Sequence, residues 1–332
     1  MKRILEYFKY DIWRVMKPDA YHGAGKSGPF FEGWYYKLVS KDGSSRLSII
    51  PGVYVGKKES DSHAFIQVID GVKEKSTYIN YPHSEFSFRE GLLDITVGKS
   101  NFKNDRMSLD INDGGFSIKG DLSFKSLTPW PVRSASPGIM GWYAWVPGME
   151  CYHGVVSMDH RIQGALKYNG ANVDFSGGKG YIEKDWGQSM PRAWVWMQSN
   201  HFGEPGISLT ASIADIPFGA FSFDGFIAGF LYKNNLYRFA TYTGAKLKDV
   251  RISDKNVFFQ LQDKHHRLAI HGERSRGSSL QAPTTRQMDR RIMETLSAVI
   301  EVELARLDPT RLIYQGTGKF AGLEVVGDLD IR

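Results

Sequence analysis

The chain reads as an all-β protein made of two successive sets of antiparallel strands, each folded as a barrel or sandwich. Three observations predict this. Short segments rich in aromatic and β-branched residues recur at roughly ten-residue spacing, as in β-sandwiches and barrels. Asp-Gly, Gly-Lys, Asn-Asp and Asp-Gly-Gly turn signals separate them. Helical periodicity is confined to two stretches, one at the N-terminus and one near residues 285–296.

The elements follow in order. Residues 1–18, "MKRILEYFKYDIWRVMKP", carry Ile4, Leu5, Phe8, Ile12, Trp13 and Met16 as a helical stripe flanked by basic residues. Such an amphipathic helix docks on its own protein or lies against a membrane surface. Charges every few residues leave no signal-peptide apolar region, and no run has the roughly 20 apolar residues of a spanning helix. A cytoplasmic protein, with peripheral membrane contact through this helix, is the expectation.

The first strand set, in a domain expected over residues 19–165, comprises "FFEGWYYKLVS", "SRLSIIPGVYVG", "SHAFIQVID", "STYINY", "EFSFREGLLDITVG", "MSLDIND" and "FSIKGDLSF". A Pro- and Trp-rich stretch, Ser126 to Met149, reads as an ordered, packed crossing loop. A second domain, expected over 166–332, holds strands such as "VDFSGGKGYIEKDWG", "AWVWMQSN", "ISLTASIADI" and "FDGFIAGFLYKN", and ends with "VIEVELARL" and "GLEVVGDLDI". Met288, Ile292, Met293 and Leu296 are spaced for one face of a helix.

Several function classes fall away. A chain of 332 residues with 42% hydrophobic content can bury sizeable cores. Cys151 is the single cysteine, so there is no internal disulfide and no cysteine metal cluster. "GAGKSG" (Gly23–Gly28) matches G-x-G-x-x-G and nearly matches a P-loop, whose first glycine would fall at Ala20, but Pro18 stands where a strand should precede it and Pro29 where a helix should follow. His265-His266 lies in a charged turn without a third ligand at metal spacing. The basic residues behind the net charge of +6 are scattered, and the run "DKHHRLAIHGERSRG" reads as a solvated loop face. The densest aromatic stretches carry acids rather than bases, which argues against nucleic acid.

The informative pattern is the recurring pairing of carboxylates with aromatics. Strand periodicity places Glu32, Trp34 and Tyr36 on one face of "FFEGWYYKL". It places Glu150 and Tyr152 on one face of "MECYHGVVSMD", with Cys151, His153 and Val155 on the other. Tyr181, Glu183 and Asp185 share a face of "GYIEKDWG"; Trp194, Trp196, Gln198 and Asn200 share one of "AWVWMQSNHF", an aromatic wall with two amide handles. A carboxyl group desolvated by aromatic rings keeps its proton and can serve as a general acid. Aromatic faces stabilise a cation by about 0.5–2 kcal/mol each. Together these are what protonation of an alkene requires. The plainer reading is that the acids pair with Lys37, Lys184, Arg192 or Arg161 and that the tryptophans are core.

"FFEGWYYKL", "PGIMGWYAWVPGMECYHGVVSMDHRIQGAL", "VDFSGGKGYIEKDWGQSMPRAWVWMQSNHF" and "LQAPTT" resemble, in order, motifs of the tocopherol cyclase family, and more distantly the carotenoid hydratase and Diels–Alderase group. The resemblance runs along nearly the whole chain from Pro18. It implies two consecutive lipocalin-like β-barrel or sandwich domains. It also implies a cyclase or isomerase that needs neither metal nor redox cofactor and acts on a hydrophobic isoprenoid quinol. An acid protonates a trisubstituted alkene, and a phenol oxygen closes a chromanol ring on the resulting cation. Carried onto this sequence, the candidate catalytic residues are Asp185, Glu150, Glu183, His153 and His201. Asp185 or Glu150 would be the proton donor, poised by Trp186, Trp194 or Tyr152, and His153 or His201 would accept the phenolic proton. The candidate substrate-binding residues are Glu32, Trp34, Tyr35, Tyr152, Trp186, Trp194, Trp196, Gln198 and Asn200. The alternative is a non-catalytic lipocalin-like carrier or sensor of a hydrophobic small molecule.

Overall fold

The computed structural model describes residues 12–218 and 221–329. Most of the expected N-terminal helix lies outside these residues; residues 12–15 are helical. The rest is almost entirely antiparallel β-structure, in two large sheets.

The 12-stranded sheet contains β1 (Phe30–Val39), β2 (Arg46–Val55), β3 (His63–Asp70), β4 (Lys75–Pro82), β5 (Phe86–Phe88), β6 (Asp94–Val97), β7 (Ser100–Lys103), β8 (Arg106–Asp113) and β9 (Phe116–Lys125). After the small ribbon of β10 (Val132–Arg133) and β11 (Ser136–Pro137), it gains β12 (Cys151–Tyr168), β13 (Ala171–Asp174) and β14 (Lys179–Gly187). Its order is β4-β3-β2-β1-β14-β12-β9-β8-β7-β6-β5, with β13 paired to β12. Alternate residues such as Trp34, Tyr36, Leu38, Ile49, Phe102, Leu109 and Ile182 meet in one continuous core, so the sheet wraps round that core.

The 10-stranded sheet contains β15 (Trp194–Ser199), β16 (Ser208–Phe218), β17 (Phe221–Tyr232), β18 (Asn235–Ala240), β19 (Lys246–Ile252), β20 (Asn256–Gln262), β21 (His266–Glu273), β22 (Ser278–Ala282), β23 (Arg290–Leu307) and β24 (Thr310–Val326). Its order is β18-β17-β16-β15-β24-β23-β21-β20-β19, with β22 on β23. It wraps a second core that includes Val195, Met197, Leu209, Phe230, Phe259 and Ile300.

Two compact units result. The first takes the described residues up to Val68, Thr77–Met190 and Gln281–Arg290; the second takes Ile69–Ser76, Pro191–Leu280 and the chain from Arg291 on. The boundary expected at 165/166 therefore falls inside β12. The reason is β14, which pairs with both β1 and β12 and so belongs to the middle of the first sheet.

Where a helix is expected over 285–296, residues 285–289 are irregular and a strand follows from 290. Arg290 opens β23, in which Ile292 and Leu296 are buried while Met293 is 54% exposed. Register shifts between Thr295 and Ala298, and between Ala298 and Ile300, break the two-residue alternation. A bulged strand thus imitates helical spacing. In the Pro-rich stretch Trp130, Ile139 and Met140 are buried as expected of a packed loop, whereas Trp142 and Trp145 are exposed. Among the described residues no helix is long and apolar enough to cross a membrane.

Candidate active site

On β14 the side chains alternate. Tyr181, Glu183 and Asp185 occupy one face of the first sheet, and Ile182, Lys184 and Trp186 the other. Asp185 is flanked by Gly33 on β1 and His153 on β12, and Gly33 by Gly52 on β2. This row brings together two of the sequence candidates. His153 Nδ1 lies 2.8 Å from Asp185 Oδ1 and His153 Nε2 lies 3.6 Å from Glu183 Oε2. The Tyr181 hydroxyl donates to Glu183 Oε2 at 2.5 Å.

Burial disfavours a charged imidazole here, but Asp185 and Glu183 outweigh it and raise the His153 pKa to about 9. His153 is therefore an imidazolium at neutral pH, with Asp185 accepting its Nδ1 proton. His153, Glu183 and Asp185 each offer one ligand atom, all within 4.8 Å of one another, a set able to hold a divalent cation. The proton on His153 works against that use, since a metal ligand must be deprotonated.

The same face carries an apolar patch. Phe31, Tyr54, Phe65 and Met288 cluster, with Ile50, Tyr78, Cys151 and Met190 packed against them. Phe65 stacks on Tyr78 at 5.2 Å between ring centres, and His63 Nε2 contacts the Tyr78 hydroxyl at 2.7 Å. A Cβ at Gly52 would lie 2.3 Å from Phe65 Cζ, so the missing side chain admits that ring. At Gly33 the nearest atoms would be 3.7–3.9 Å away, leaving ordinary room beside Asp185. The Tyr54 hydroxyl is buried without a hydrogen-bond partner. The "LQAPTT" motif reaches this unit through Gln281, whose N–H donates to Gln67 Oε1 at 2.8 Å, and Pro283, whose carbonyl accepts the Met190 N–H.

The opposite face holds Glu32, Trp34, Tyr152 and Trp186, which the structure does not bring to His153 and Asp185. Glu32 and Lys184 are both fully buried, with Nζ 2.5 Å from Oε1. The His22 backbone N–H donates to Glu32 Oε2 at 2.8 Å, and Lys184 donates to His22 Nδ1 at 2.7 Å and to the Ala20 carbonyl. Burial alone would raise the Glu32 pKa, but Lys184 and His22 together lower it, so Glu32 is a carboxylate and not a proton donor. Burial, then Lys184, pushes His22 down to about 4. The Trp186 ring is stacked between His22 (4.4 Å) and Tyr152 (5.5 Å), while Lys184 Nζ sits 4.4 Å from its centre. The Trp34 indole donates to the Asp19 carbonyl and Tyr152 to the Val146 carbonyl. These residues fix the segment around residues 14–24 on the sheet. Trp186 and Tyr152, on the wrong face, do not poise Asp185. Lys184, one of the four basic residues the plainer reading offers the acids, is the partner found for Glu32; His22 has no motif signal of its own.

Glu150 precedes β12. Its carboxylate accepts the Ser189 hydroxyl and its carbonyl accepts the Gln188 N–H. Tyr35 lies on β1 opposite Glu183, on the His153 face.

The remaining candidates belong to the second unit. Val195 and Met197 enter its core, whereas Trp194, Trp196 and Gln198 are buried on the other face of β15, as the alternation predicts. The Trp194 indole donates to Glu324 Oε2 at 2.6 Å, and Glu324 stands opposite both Trp196 on β15 and Glu294 on β23. Glu324 was missed because nothing in "GLEVVGDLDI" points to β15. Asn200 is buried beyond the strand end. His201 forms a bridge to Lys319 and sets its ring edge-on to Phe320.

A model of the family described as tocopherol cyclase-like matches residues 108–327, well over half of the chain. The chain belongs to the tocopherol cyclase-like family. By that membership it is an enzyme of the cyclase or isomerase type. It is 24% identical, over 324 residues, to a probable chloroplastic tocopherol cyclase of Oryza sativa subsp. japonica, a match covering 80% of this chain and 67% of the relative. The chloroplastic tocopherol cyclase of Zea mays is 23% identical over the same length, with the same coverage. The crystal structure of CghA with Sch210972 superposes with a TM-score of 0.57 at 10% identity, covering 91% of this chain and 89% of that one. That likeness shows a shared lipocalin-like fold.

Within this tocopherol cyclase-like chain the family match spans His153, Tyr181, Glu183 and Asp185, as well as Trp194 to His201. Gly33, Tyr35, Tyr54 and Phe65 precede it, so part of the apolar patch beside the dyad is contributed by strands outside the matched span. Chemically, the arrangement sets a protonated imidazole against one carboxylate, backed by a second, next to a largely hydrocarbon cluster.

Proposed function

We propose that this chain is an acid–base cyclase of a prenylated quinol or a related isoprenoid phenol, working at the His153–Asp185 dyad. The observation that carries the reading is the 2.8 Å contact of a charged imidazole with Asp185, on a sheet face lined by Phe31, Tyr54 and Phe65. The dyad's proton passes to the alkene of the prenyl chain and leaves a tertiary carbocation. The phenol oxygen attacks that cation, forms the C–O bond of the new ring and returns its proton to the dyad. One proton leaves and one comes back, so substrate and product are isomers and the dyad is restored. Glu183, held by Tyr181, keeps His153 charged until transfer, and the aromatic faces shield and stabilise the cation. The plant relatives are named as tocopherol cyclases, which supports ring closure on a prenylated quinol as the chemistry. A substrate of this kind is drawn from a lipid surface, so we place the chain in the cytoplasm with peripheral membrane contact.

The test is incubation of purified protein with prenylated benzoquinols of several chain lengths, with chromanol followed by mass spectrometry. The expected result is ring closure that falls by about 10²–10⁴-fold in Asp185→Asn and in His153→Gln, the range of a lost general acid. Saturable quenching of tryptophan fluorescence with the quinol recovered unchanged would instead make the chain a carrier. Ring closure undiminished in both variants would remove the dyad from the mechanism.

A further inference from the structure

The turn "DKHH", read from the sequence as a solvated loop, is one wall of a surface pocket of about 380 Å³ at the end of the second sheet. Tyr237, His265, His266, Arg306, Arg311 and Ile313 line it. His266 stands opposite Arg306 across β21 and β23, and Arg306 stands opposite Arg311 across β23 and β24. Three basic side chains therefore form a row on neighbouring strands. Like charges placed directly opposite each other in a sheet repel.

Two other arginines of this sheet have carboxylate partners. Arg267 meets Glu303 at 2.7 Å and Arg251 meets Asp249 at 3.1 Å. Among the described residues Arg306 and Arg311 meet no carboxylate within ion-pairing distance, and both are exposed. The carboxylate beside them, Asp263, accepts the backbone N–H groups of His265 and His266 at 2.6 Å each and lies 3.8 Å from the His266 ring. Asp308 belongs to the hairpin turn between the two arginines. Tyr237 braces His266 edge-on at 5.2 Å, which fixes one wall. Leu312, next to Arg311, is 52% exposed.

We propose that this pocket binds a phosphate-bearing ligand, a phosphate monoester or phosphodiester, whose oxygens bridge Arg306 and Arg311. Guanidinium groups bind phosphate oxygens in pairs, and an anion between the two arginines converts their repulsion into attraction. The same chemistry is offered by the headgroup of an anionic lipid and by a soluble phosphate compound. With a lipid, Leu312 would rest on the hydrocarbon beside the headgroup.

The full chain is tested against Arg306→Ser/Arg311→Ser. A charge-matched control, Arg251→Ser/Arg274→Ser, carries the same loss of charge elsewhere. Co-sedimentation uses vesicles of phosphatidylcholine alone and of phosphatidylcholine mixed with an equal part of phosphatidylglycerol. Titration with inorganic phosphate and with pyrophosphate, read by amide chemical shifts, forms the second arm. For a lipid headgroup, the chain partitions onto the anionic vesicles, and Arg306→Ser/Arg311→Ser lowers that partitioning by about 30-fold while the control does not. For a soluble source, the vesicles show no such difference, and the free anions shift amides around Arg306 and Arg311 in a manner lost in the variant. Arg306→Ser/Arg311→Ser removes two exposed side chains and should keep the wild-type melting temperature; the control also loses the Arg251–Asp249 pair and the half-buried Arg274 with its bond to the Ser253 carbonyl, so its folding is checked by the same melt. If neither arm responds, or if Arg306→Ser/Arg311→Ser binds like the control, the pocket is no phosphate site.

Discussion

Removing the charge of Asp185 should uncouple His153 from its proton. In the folded chain the imidazole titrates at about 9, against an ordinary value near 6.5. At 1.36 kcal/mol per unit, that difference corresponds to about 3 kcal/mol of folding stability. The side chain is 16% exposed, so solvent screening takes away little of it. Because the folded value is the raised one, the stabilisation is fully present below about pH 6.5 and is lost as pH rises through about 9. Asp185 is the strongest of the groups that raise it, so in Asp185→Asn the His153 value should fall toward the ordinary one. The same substitution should remove most of the stability lost by the wild type over that alkaline window. Ring resonances of the nine histidines, with His153 assigned by its absence in His153→Gln, give the titration directly. Urea unfolding across the window gives the stability. The ring-closing rate should hold until the dyad loses its proton and fall above about pH 9, with the limb moved to lower pH in the variant. A wild-type His153 that titrates at or below its ordinary value, or one indifferent to Asp185→Asn, would show that Asp185 does not hold the proton on His153.

Further outcomes concern the scaffold and the apolar patch. Glu32→Gln, which leaves Lys184 buried without its partner, should cost about 3–5 kcal/mol in urea unfolding, and Glu32→Gln/Lys184→Met should recover much of this. His22, held neutral with a folded value of about 4, adds stability present above the ordinary histidine value that is lost as pH falls through about 4. Acid unfolding should therefore be delayed in His22→Gln relative to its own neutral-pH stability. At Gly52 an alanine meets Phe65 Cζ at 2.3 Å and the Glu32 carbonyl at 2.7 Å and should cost about 1–3 kcal/mol; Gly33→Ala should stay within about 1 kcal/mol of wild type. Gly33→Leu should fold yet lose at least about tenfold in kcat/KM, because its side chain projects beside Asp185. Tyr54→Phe removes a buried hydroxyl that has no partner and should leave stability unchanged or raise it by about 1 kcal/mol. If that hydroxyl serves the quinol, KM rises by about three- to tenfold in the same variant.

Much of the site was legible because strand periodicity is a local property. Alternation alone assigned Tyr181, Glu183 and Asp185 to one face and Cys151 and His153 to one face of their own strand. It also separated Trp194 and Trp196 from Val195 and Met197. What alternation cannot show is which strand lies beside which. The pairing of β14 with β1 joins residues nearly 150 positions apart, so the juxtaposition of Asp185 with His153 and with Gly33 is a matter of topology. For the same reason the carboxylates of Glu32 and Asp185 looked alike in sequence, each beside aromatics, while one is neutralised in the core by Lys184 and the other faces a histidine. The bulge after Thr295 carried Leu296 onto the spacing of a helix, an error of period rather than of hydrophobicity.

The position of β14 has an evolutionary consequence. Its reading frame is double: odd residues from Tyr181 to Asp185 lie on the face of the candidate dyad, and even residues from Ile182 to Trp186 face the interior. Deleting one residue between Gly180 and Gly187 would turn carboxylates into the hydrocarbon core and carry Lys184 to the face of His153 in a single step. Point substitutions on the flanking strands alter the apolar patch one side chain at a time, whereas a change of length in this segment turns every side chain over at once. On the proposed function, specificity would drift through β1, β2 and β3, while β14 stays a fixed ruler against which those changes are measured.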